Sequence, residues 1–377
     1  MTLPLSSSAS PDPSSGEALA RTNLFDLNEQ AMGDWLESLG EPRYRSRQII
    51  QWIHQRRMTD IDQMTDLSKR LRERMVQEVC FDLPRFTEEY PSRDGTIKWL
   101  CQLVGGPVVE TVYIPEGNRG TLCISSQVGC ALNCSFCSTA RQGFDRNLSQ
   151  AEIIGQVWLA QTRLAELGDG KVTNVVFMGM GEPLLNYEPV VGTMQLLLSD
   201  LAYGLSKYRV TLSTSGLVPQ INRLKDDTPA ALAISLHAPT DELRTQLVPI
   251  NKKYPLAMLM DACRHYFPKG SSRHVTFEYV MLADVNDSVA QAKTLARLLE
   301  GVPAKINLIP FNSHPGAQYT CSSKEQIGRF RDVLQKAGYV VTVRKTRGDD
   351  VDGACGQLAG DFKDRTGRKV RWIKRGK

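Results

Sequence analysis

The sequence predicts an α/β protein: a partial (β/α)6 barrel preceded by a small N-terminal helical accessory domain. Three observations carry this reading. From residue 121 onward, six short apolar, β-branched runs alternate with helical stretches, the pattern of a parallel sheet with crossover helices. Polar, chemistry-bearing residues recur just past the C-terminal ends of those runs, where barrels build their sites. Residues 23 to about 85 lack the alternation and repeat apolar positions at helical spacing instead.

At 377 residues the chain is long enough for one large α/β domain plus a small accessory one. A hydrophobic content of 41% with 23% charged residues describes an ordinary globular protein and excludes a disordered or fibrous one. Nine cysteines, an odd number, do not make a disulfide scaffold and point to a reducing, cytoplasmic setting. No apolar run approaches the eighteen or so residues that span a bilayer. Residues 1–22 are rich in Ser and Pro, with neither a basic n-region nor an apolar h-region; they read as a disordered tail rather than a signal peptide.

The accessory domain covers residues 23–90, with Leu36, Leu39, Ile49, Ile50, Trp52 and Ile53 near helical spacing and a break at Gly40 and Pro42. Arg43, Arg45, Arg47, Arg56 and Arg57 give it a basic side, which suits RNA or a solvated helix face. The barrel domain covers 95–355 and opens on a β-hairpin, 97–104 and 108–114, joined at Gly105 and Gly106. Barrel strands follow at 121–126, 174–178, 209–213, 231–236, 274–281 and 305–309. Helices fall at 150–167, 189–198, 256–266, 288–299 and 323–336, and a last strand at 339–344 leads into the loop 345–355. Residues 356–377 form a basic tail: from Lys363 to Lys377 there are eight Lys/Arg against one acid, Asp364, in a chain whose net charge is only +5. Such a tail is either the footprint of a nucleic-acid backbone or a solubilising end.

The most restrictive motif is GCALNCSFCSTA, which places Cys130, Cys134 and Cys137 at C-x3-C-x2-C spacing after the first barrel strand. Thiolates bind iron–sulfur clusters, and a four-iron cluster held by three of them leaves one iron open. A structural zinc knuckle is the alternative, but it would need a fourth ligand, and the nearest downstream histidine is His237. Further rim groups are Gly181 and Glu182 after the second strand, Ser213, Thr214 and Ser215 after the third, Ser235, Leu236 and His237 after the fourth, and Asn312 after the sixth. One pocket made of these groups suits a polar, zwitterionic ligand carrying a ribose and a base. Two other cysteines stand apart from the apolar core-filling ones. Cys123 lies on the first barrel strand, and Cys355 sits in the Gly- and Asp-rich run RGDDVDGACGQLAGD, a setting that suits a reactive thiol. Thiol exchange between the two is one reading and separate roles the other.

The segments SRDGTIKWL, VETVYIP, TLCISSQVGCALNCSFCSTARQGF, GMGEPLLN, RVTLSTSG, ALAISLHAP, VPINKKY, INLIPFN and RKTRGDDVDGACGQLAGD resemble the radical S-adenosylmethionine enzymes, and more narrowly the bacterial adenine-C2 methyltransferases of 23S ribosomal RNA and transfer RNA. The likeness runs from about Leu24 to about Gly360. It implies a radical S-adenosylmethionine barrel in which Cys130, Cys134 and Cys137 hold a [4Fe-4S] cluster. It further implies that Gly181, Glu182, Ser213, Ser235, Leu236, His237 and Asn312 bind S-adenosylmethionine. Cys355 would be methylated by one S-adenosylmethionine, and a 5′-deoxyadenosyl radical from a second would activate that methyl group for addition to adenine carbon 2. Glu110 would take the ring proton, and Cys123 would release the product by a disulfide with Cys355. The resemblance also implies a cytoplasmic monomer served by a reducing electron carrier such as flavodoxin or ferredoxin, with no membrane partner. A sister enzyme acting on adenine carbon 8 shares the same cysteines, and a non-enzymatic metal-stabilised RNA-binding protein is the remoter alternative.

Overall fold

The structure is a computed structural model that describes residues 21–360 apart from Asp169, Pro268, Lys269, Pro315 and Cys355. Most of both predicted tails, residues 1–20 and 361–377, therefore lies outside the described residues, as does Cys355.

The N-terminal module is built on α1 (Glu29–Ser38), α2 (Arg45–Ile50, continued by a π turn at Gln51–Gln55) and α3 (Lys69–Glu78). Asn28 and Ser68 start α1 and α3 by accepting from the amides of Ala31 and Leu71, which would otherwise be orphaned. The module is fused to the barrel. Phe25 packs edge-on against His54, Phe81 and Trp158, Trp158 Nε1 donates to the Ile53 carbonyl (3.0 Å), and Asp26 accepts from the Ala151 amide (2.7 Å). Burial drops the His54 imidazole to about 3, so it is a neutral packing group at the seam.

Among the described residues, ten strands form one sheet in strict chain order. The first three are β1 (Arg85–Pro91), β2 (Ile97–Gln102) and β3 (Val108–Glu116), and β4 (Arg119–Cys123) completes an antiparallel set. From β4 the sheet is parallel through β5 (Asn174–Phe177), β6 (Val210–Thr214), β7 (Ala231–Ser235), β8 (Val275–Met281), β9 (Ala304–Pro310) and β10 (Val340–Val343). The crossovers carry α5 (Gln150–Leu167), α6 (Tyr187–Leu198), α7 (Val218–Asp227), α8 (Asp241–Leu247) with α9 (Leu256–Arg264), α10 (Val289–Leu298) and α11 (Lys324–Lys336), after a short α4 (Ser138–Gln142) in the cysteine loop. Six consecutive crossovers, each advancing one strand, make the partial barrel that the sequence predicts. Its strands lie between the crossover helices and the barrel interior, and β7 reads as a nearly unbroken apolar run. Ser149 with Glu152, and Ser288 with Gln291, form capping boxes that set where α5 and α10 begin. Among the described residues no helix is long and apolar enough to cross a membrane.

One element differs from the sequence reading. The helical character expected to about residue 85 ends at Glu78; Val79–Cys80 pairs in parallel with Thr22–Asn23, and β1 begins at Arg85. β1 is an edge strand whose RFTEEYP composition carries the charges that blunt sheet edges, so it has no strand-like apolar alternation to recognise. It is held by Phe86 stacked on Trp99 (4.8 Å) and by Glu89, which accepts from Trp99 Nε1 and pairs with Arg163 (both 2.8 Å).

Candidate active site

The chain leaves β4 through a segment that α5 pins in place. The buried Gln156 amide accepts from the Ser125 amide (2.8 Å) and donates to the Ser125 carbonyl (2.9 Å). The loop beyond is closed by antiparallel pairing of Gln127–Gly129 with Phe144–Asn147. Within that closure the Cys130 amide donates to the Gly143 carbonyl (2.7 Å), and Asn133 takes the left-handed turn at φ 59°, a conformation Asn tolerates. Cys130, Cys134 and Cys137, all free thiols, line one cavity together with Gly181, Glu182, Ser213, Ser235 and His237. Strand ends far apart in sequence meet here because every parallel strand delivers its C-terminus to the same rim.

Each rim group is held in place. Gly181 sits at φ +100°, and a Cβ there would fall 2.5 Å from the Gln127 side chain, so only glycine fits. Gln127 accepts from the Glu182 amide (2.8 Å) and so ties this turn to the cysteine loop. The Glu182 carboxylate accepts from the Ser215 amide (2.7 Å) and the Leu184 amide (3.1 Å), while burial pushes its pKa up. His237 Nδ1 accepts from the Val280 amide (3.1 Å), which puts the ring proton on Nε2; burial lowers its pKa to about 3, so the ring is neutral. Phe136 meets that ring edge-on at 4.6 Å. The Ser213 and Ser235 hydroxyls lie 3.4 Å apart on adjacent strands.

Two predicted residues stand elsewhere. Leu236 is wholly buried and does not line the cavity; its backbone bonds the Glu278 carbonyl (3.0 Å) and Arg244 Nε (3.2 Å). Asn312 lines a neighbouring cavity with Cys123, Thr346, Gly353 and Ala354, and its Oδ1 accepts from the Thr346 hydroxyl (3.1 Å). The two cavities share Met178, Ile309, Arg344 and Leu358 as a common wall. Cys355 lies outside the described residues, but its neighbours in the chain divide between the cavities: Ala354 lines that of Cys123, and Gly356 lines that of the three cysteines.

Glu110, on β3, is buried; its Oε1 pairs with Lys98 Nζ (3.1 Å) and its Oε2 accepts from the Ala359 amide (2.9 Å). Burial pushes its pKa above the carboxylate value of 4.5, with Lys98 opposing. Lys98 carries no mark of its own in the sequence. Its signal was available only through hairpin register: Leu100 faces Glu110, which makes Lys98 the diagonal neighbour on the same face. Two more residues are unmarked in the same way. Glu278 lines the cysteine cavity, with Oε1 accepting from Asn307 (2.9 Å) and Oε2 buried without a hydrogen bond. Arg244 is fully buried and donates to the carbonyls of Ser215 (2.6 Å), Ser235 (3.2 Å) and Leu236, and to Asn251 (2.9 Å). It stitches the ends of β6 and β7 together beneath the cavity. Replacing it with Met would strand several buried acceptors, and an Arg244→Met variant is expected to lose about 3 kcal/mol of stability in urea denaturation.

The donor set suits an iron–sulfur cluster. Burial raises all three thiol pKa values, Cys134 to about 12, and mutual repulsion adds to the rise at Cys130 and Cys134. Without a cation these thiols, two buried and Cys137 partly so, stay protonated, and a bound cation would let them ionise. Among the described residues no three His, Cys, Asp or Glu close around a single metal ion; a four-iron cluster asks only one thiolate per iron.

Comparison with known proteins agrees with this geometry. Residues 22–81 match the family model described as the ribosomal RNA large subunit methyltransferase N-terminal domain, and residues 124–296 match the radical SAM superfamily. The dual-specificity RNA methyltransferase RlmN of Francisella tularensis subsp. novicida (strain U112) is 53% identical over 360 residues, covering 94% of this chain and 97% of that protein. Its counterpart in Francisella tularensis subsp. mediasiatica (strain FSC147) is 52% identical with the same coverage. The crystal structure of a radical SAM methyltransferase from Sphaerobacter thermophilus superposes with a TM-score of 0.82 at 44% identity, over 89% of this chain and 99% of that one. Radical SAM membership implies S-adenosylmethionine and a [4Fe-4S] cluster. The chain belongs to the RlmN family of dual-specificity RNA methyltransferases, within the radical SAM superfamily.

Proposed function

We propose that this chain methylates carbon 2 of adenine in 23S ribosomal RNA and in transfer RNA, consuming two S-adenosylmethionines per turnover. The observation that carries the reading is the pair of cavities with a common wall, one lined by Cys130, Cys134, Cys137 and Gly356 and the other by Cys123 and Ala354. Gly181, Glu182, Ser213, Ser235 and His237 bind S-adenosylmethionine in the first cavity, with Leu236 contributing backbone and Asn312 reaching from the second. Cys130, Cys134 and Cys137 would hold the cluster, which when bound would supply the electron for cleavage of the second S-adenosylmethionine.

The remaining chemistry falls to the chain. Cys355 accepts a methyl group on sulfur, loses one hydrogen atom from it, and joins adenine carbon 2 through the resulting carbon radical. Covalent attachment makes that addition intramolecular, which favours it by proximity. Glu110 removes the proton from carbon 2 as the ring gives up one electron, which the oxidised cluster bound by the three cysteines would take back. Cys123, as the thiolate, then attacks the Cys355 sulfur; an S–S bond forms, the carbon–sulfur bond breaks with its electron pair going to carbon, and that carbon takes up a proton to become the methyl group of the released base. A reductant such as flavodoxin or ferredoxin supplies electrons, and the enzyme works as a cytoplasmic monomer. The adenine must be unstacked to reach the cavity. The N-terminal module, in which Arg43, Arg45 and Arg47 are each paired with an acid of the same module, is the part assigned to holding the RNA around it.

Anaerobic reaction with ribosomal RNA and transfer RNA separately, followed by nucleoside mass spectrometry, tests the reading. 2-Methyladenosine in both is expected; 8-methyladenosine alone would assign the carbon-8 activity instead. The base is tested through pH. A buried Glu110 with a raised pKa requires kcat to climb with pH through an apparent pKa above 4.5. A Lys98→Met variant, which removes the opposing charge, should move that rise to higher pH. An identical profile in Glu110→Gln at a reduced but measurable rate would remove Glu110 from the role.

A further inference from the structure

The loop that carries Cys355 is anchored at both ends, and the two anchors differ in kind. On the C-terminal side α4, which follows Cys137 directly, does the holding. The Ser138 amide donates to the Gly356 carbonyl (2.9 Å), the Thr139 hydroxyl to the Leu358 carbonyl (2.7 Å), and the Gln142 amide exchanges two hydrogen bonds with Gly360 (3.0 Å each). This anchor belongs to the cysteine cavity. On the N-terminal side the partner is the hairpin turn 92–96 between β1 and β2, roughly 250 residues away along the chain. Asp94 Oδ2 accepts from the Gly348 amide (3.2 Å) and lies 3.8 Å from Arg347 Nη1. The Ser92 hydroxyl donates to Asp350 Oδ1 (2.5 Å), and the Arg93 amide to Asp350 Oδ2 (3.2 Å). Gly348, at φ +64°, sits so close that a Cβ would fall 2.9 Å from the Thr96 methyl group.

We propose that this hairpin turn is a clasp that positions the methyl-carrying loop, with Asp94 and Ser92 as positioning residues gripping Gly348 and Asp350 from outside the active site. The proposal rests on the reading that Cys355 carries the methyl group. Three features single the turn out. The contacts are reciprocal: a carboxylate on the turn holds a loop amide, and a carboxylate on the loop holds the turn's hydroxyl and amide. Both carboxylates are kept ionised, Asp94 at about 2 by hydrogen bonds from Thr96 and Gly348 that outweigh its burial, and Asp350 below its ordinary value by the bond from Ser92. Finally, Asp94, Ser92 and Asp350 line neither cavity themselves; among the described residues the one wall residue they touch is Arg347, beside the cavity of Cys123, and the three-cysteine cavity has no contact with them. A misplacement of about 1 Å at a reacting atom can cost on the order of 10²-fold in rate, so a clasp on the loop that carries Cys355 has leverage on the reaction.

The test compares Asp94→Ala, on the turn, with Asp350→Ala, on the loop, in the anaerobically reconstituted holoenzyme. The S-methyl content of Cys355 in the wild type is measured first by peptide mass spectrometry; absence of the methyl group would overturn the functional reading on which the clasp depends. With the methyl present, both variants should lower kcat by at least about tenfold with KM for S-adenosylmethionine and iron content unchanged. In demethylated protein, alkylation of Cys355 by iodoacetamide should accelerate about tenfold while the exposed Cys321 reacts as before. Asp94→Asn, which keeps one acceptor oxygen, should recover part of the rate, and the double variant should be no worse than either single one. Unchanged alkylation and kcat in Asp350→Ala would reduce the turn to a purely structural hairpin, and a raised KM for S-adenosylmethionine or lost iron would reassign the effect to the cofactor cavity; either overturns the clasp.

Discussion

Cys123→Ala is expected to arrest the enzyme as a covalent adduct with its RNA, visible as a shifted band on a denaturing gel of anaerobic reactions with labelled RNA. Cys355→Ala is expected to form no adduct and no methylated base, a loss on the order of 10³-fold or more. The asymmetry is the informative part. If Cys355 makes the bond to the base, removing it stops the reaction before RNA is attached. If Cys123 only releases the product, removing it stops the reaction after attachment. The structure supports this division: Cys123 lies on β4, a central strand bonded on both sides, and lines a cavity with Gly353 and Ala354 of the Cys355 loop. A thiol on a rigid strand, facing a cavity that residues of the Cys355 loop also line, is suited to resolving a sulfur linkage. Adduct with Cys355→Ala, or full turnover with Cys123→Ala, would refute the division of roles.

Replacing any one of Cys130, Cys134 or Cys137 by Ala should take the anaerobically reconstituted protein from about four irons to near none, with loss of its brown colour and of all methylation. The thiols need a cation to ionise, because burial raises the pKa of each. Iron loading therefore displaces protons. As pH falls, protons compete better, and the apparent affinity for iron should drop about tenfold per pH unit for each proton displaced. Iron content and absorbance against reconstitution pH check the sign; loading that is independent of pH would contradict it. Zinc recovered in place of iron after anaerobic purification would restore the structural-metal alternative.

Much of this chain is legible without coordinates, for identifiable reasons. Buried parallel strands must be apolar and their ends must face one rim, so the runs that became β4 to β9, and the polar residues beyond them, follow from local pattern. The C-x3-C-x2-C motif is legible because its three ligands are contiguous. β1 was not legible, since an exposed edge strand is selected for charge and carries no alternation. Lys98 was hidden because its meaning depends on register against β3. Arg244 was hidden because a lone arginine in a helix reads as solvated until the carbonyls it serves, Ser215, Ser235 and Leu236, are brought around it.

By itself the sequence determined the barrel class, the three-cysteine motif and the residues that gather at its rim, because those depend on spacing along the chain. Only the tertiary structure decided that Leu236 turns into the core, that Asn312 sits with Cys123 in a second cavity, and that the hairpin turn at Asp94 grips the loop leading to Cys355. These last are relations between segments as many as 250 or so residues apart, set by sheet register and loop packing, and no local pattern encodes them.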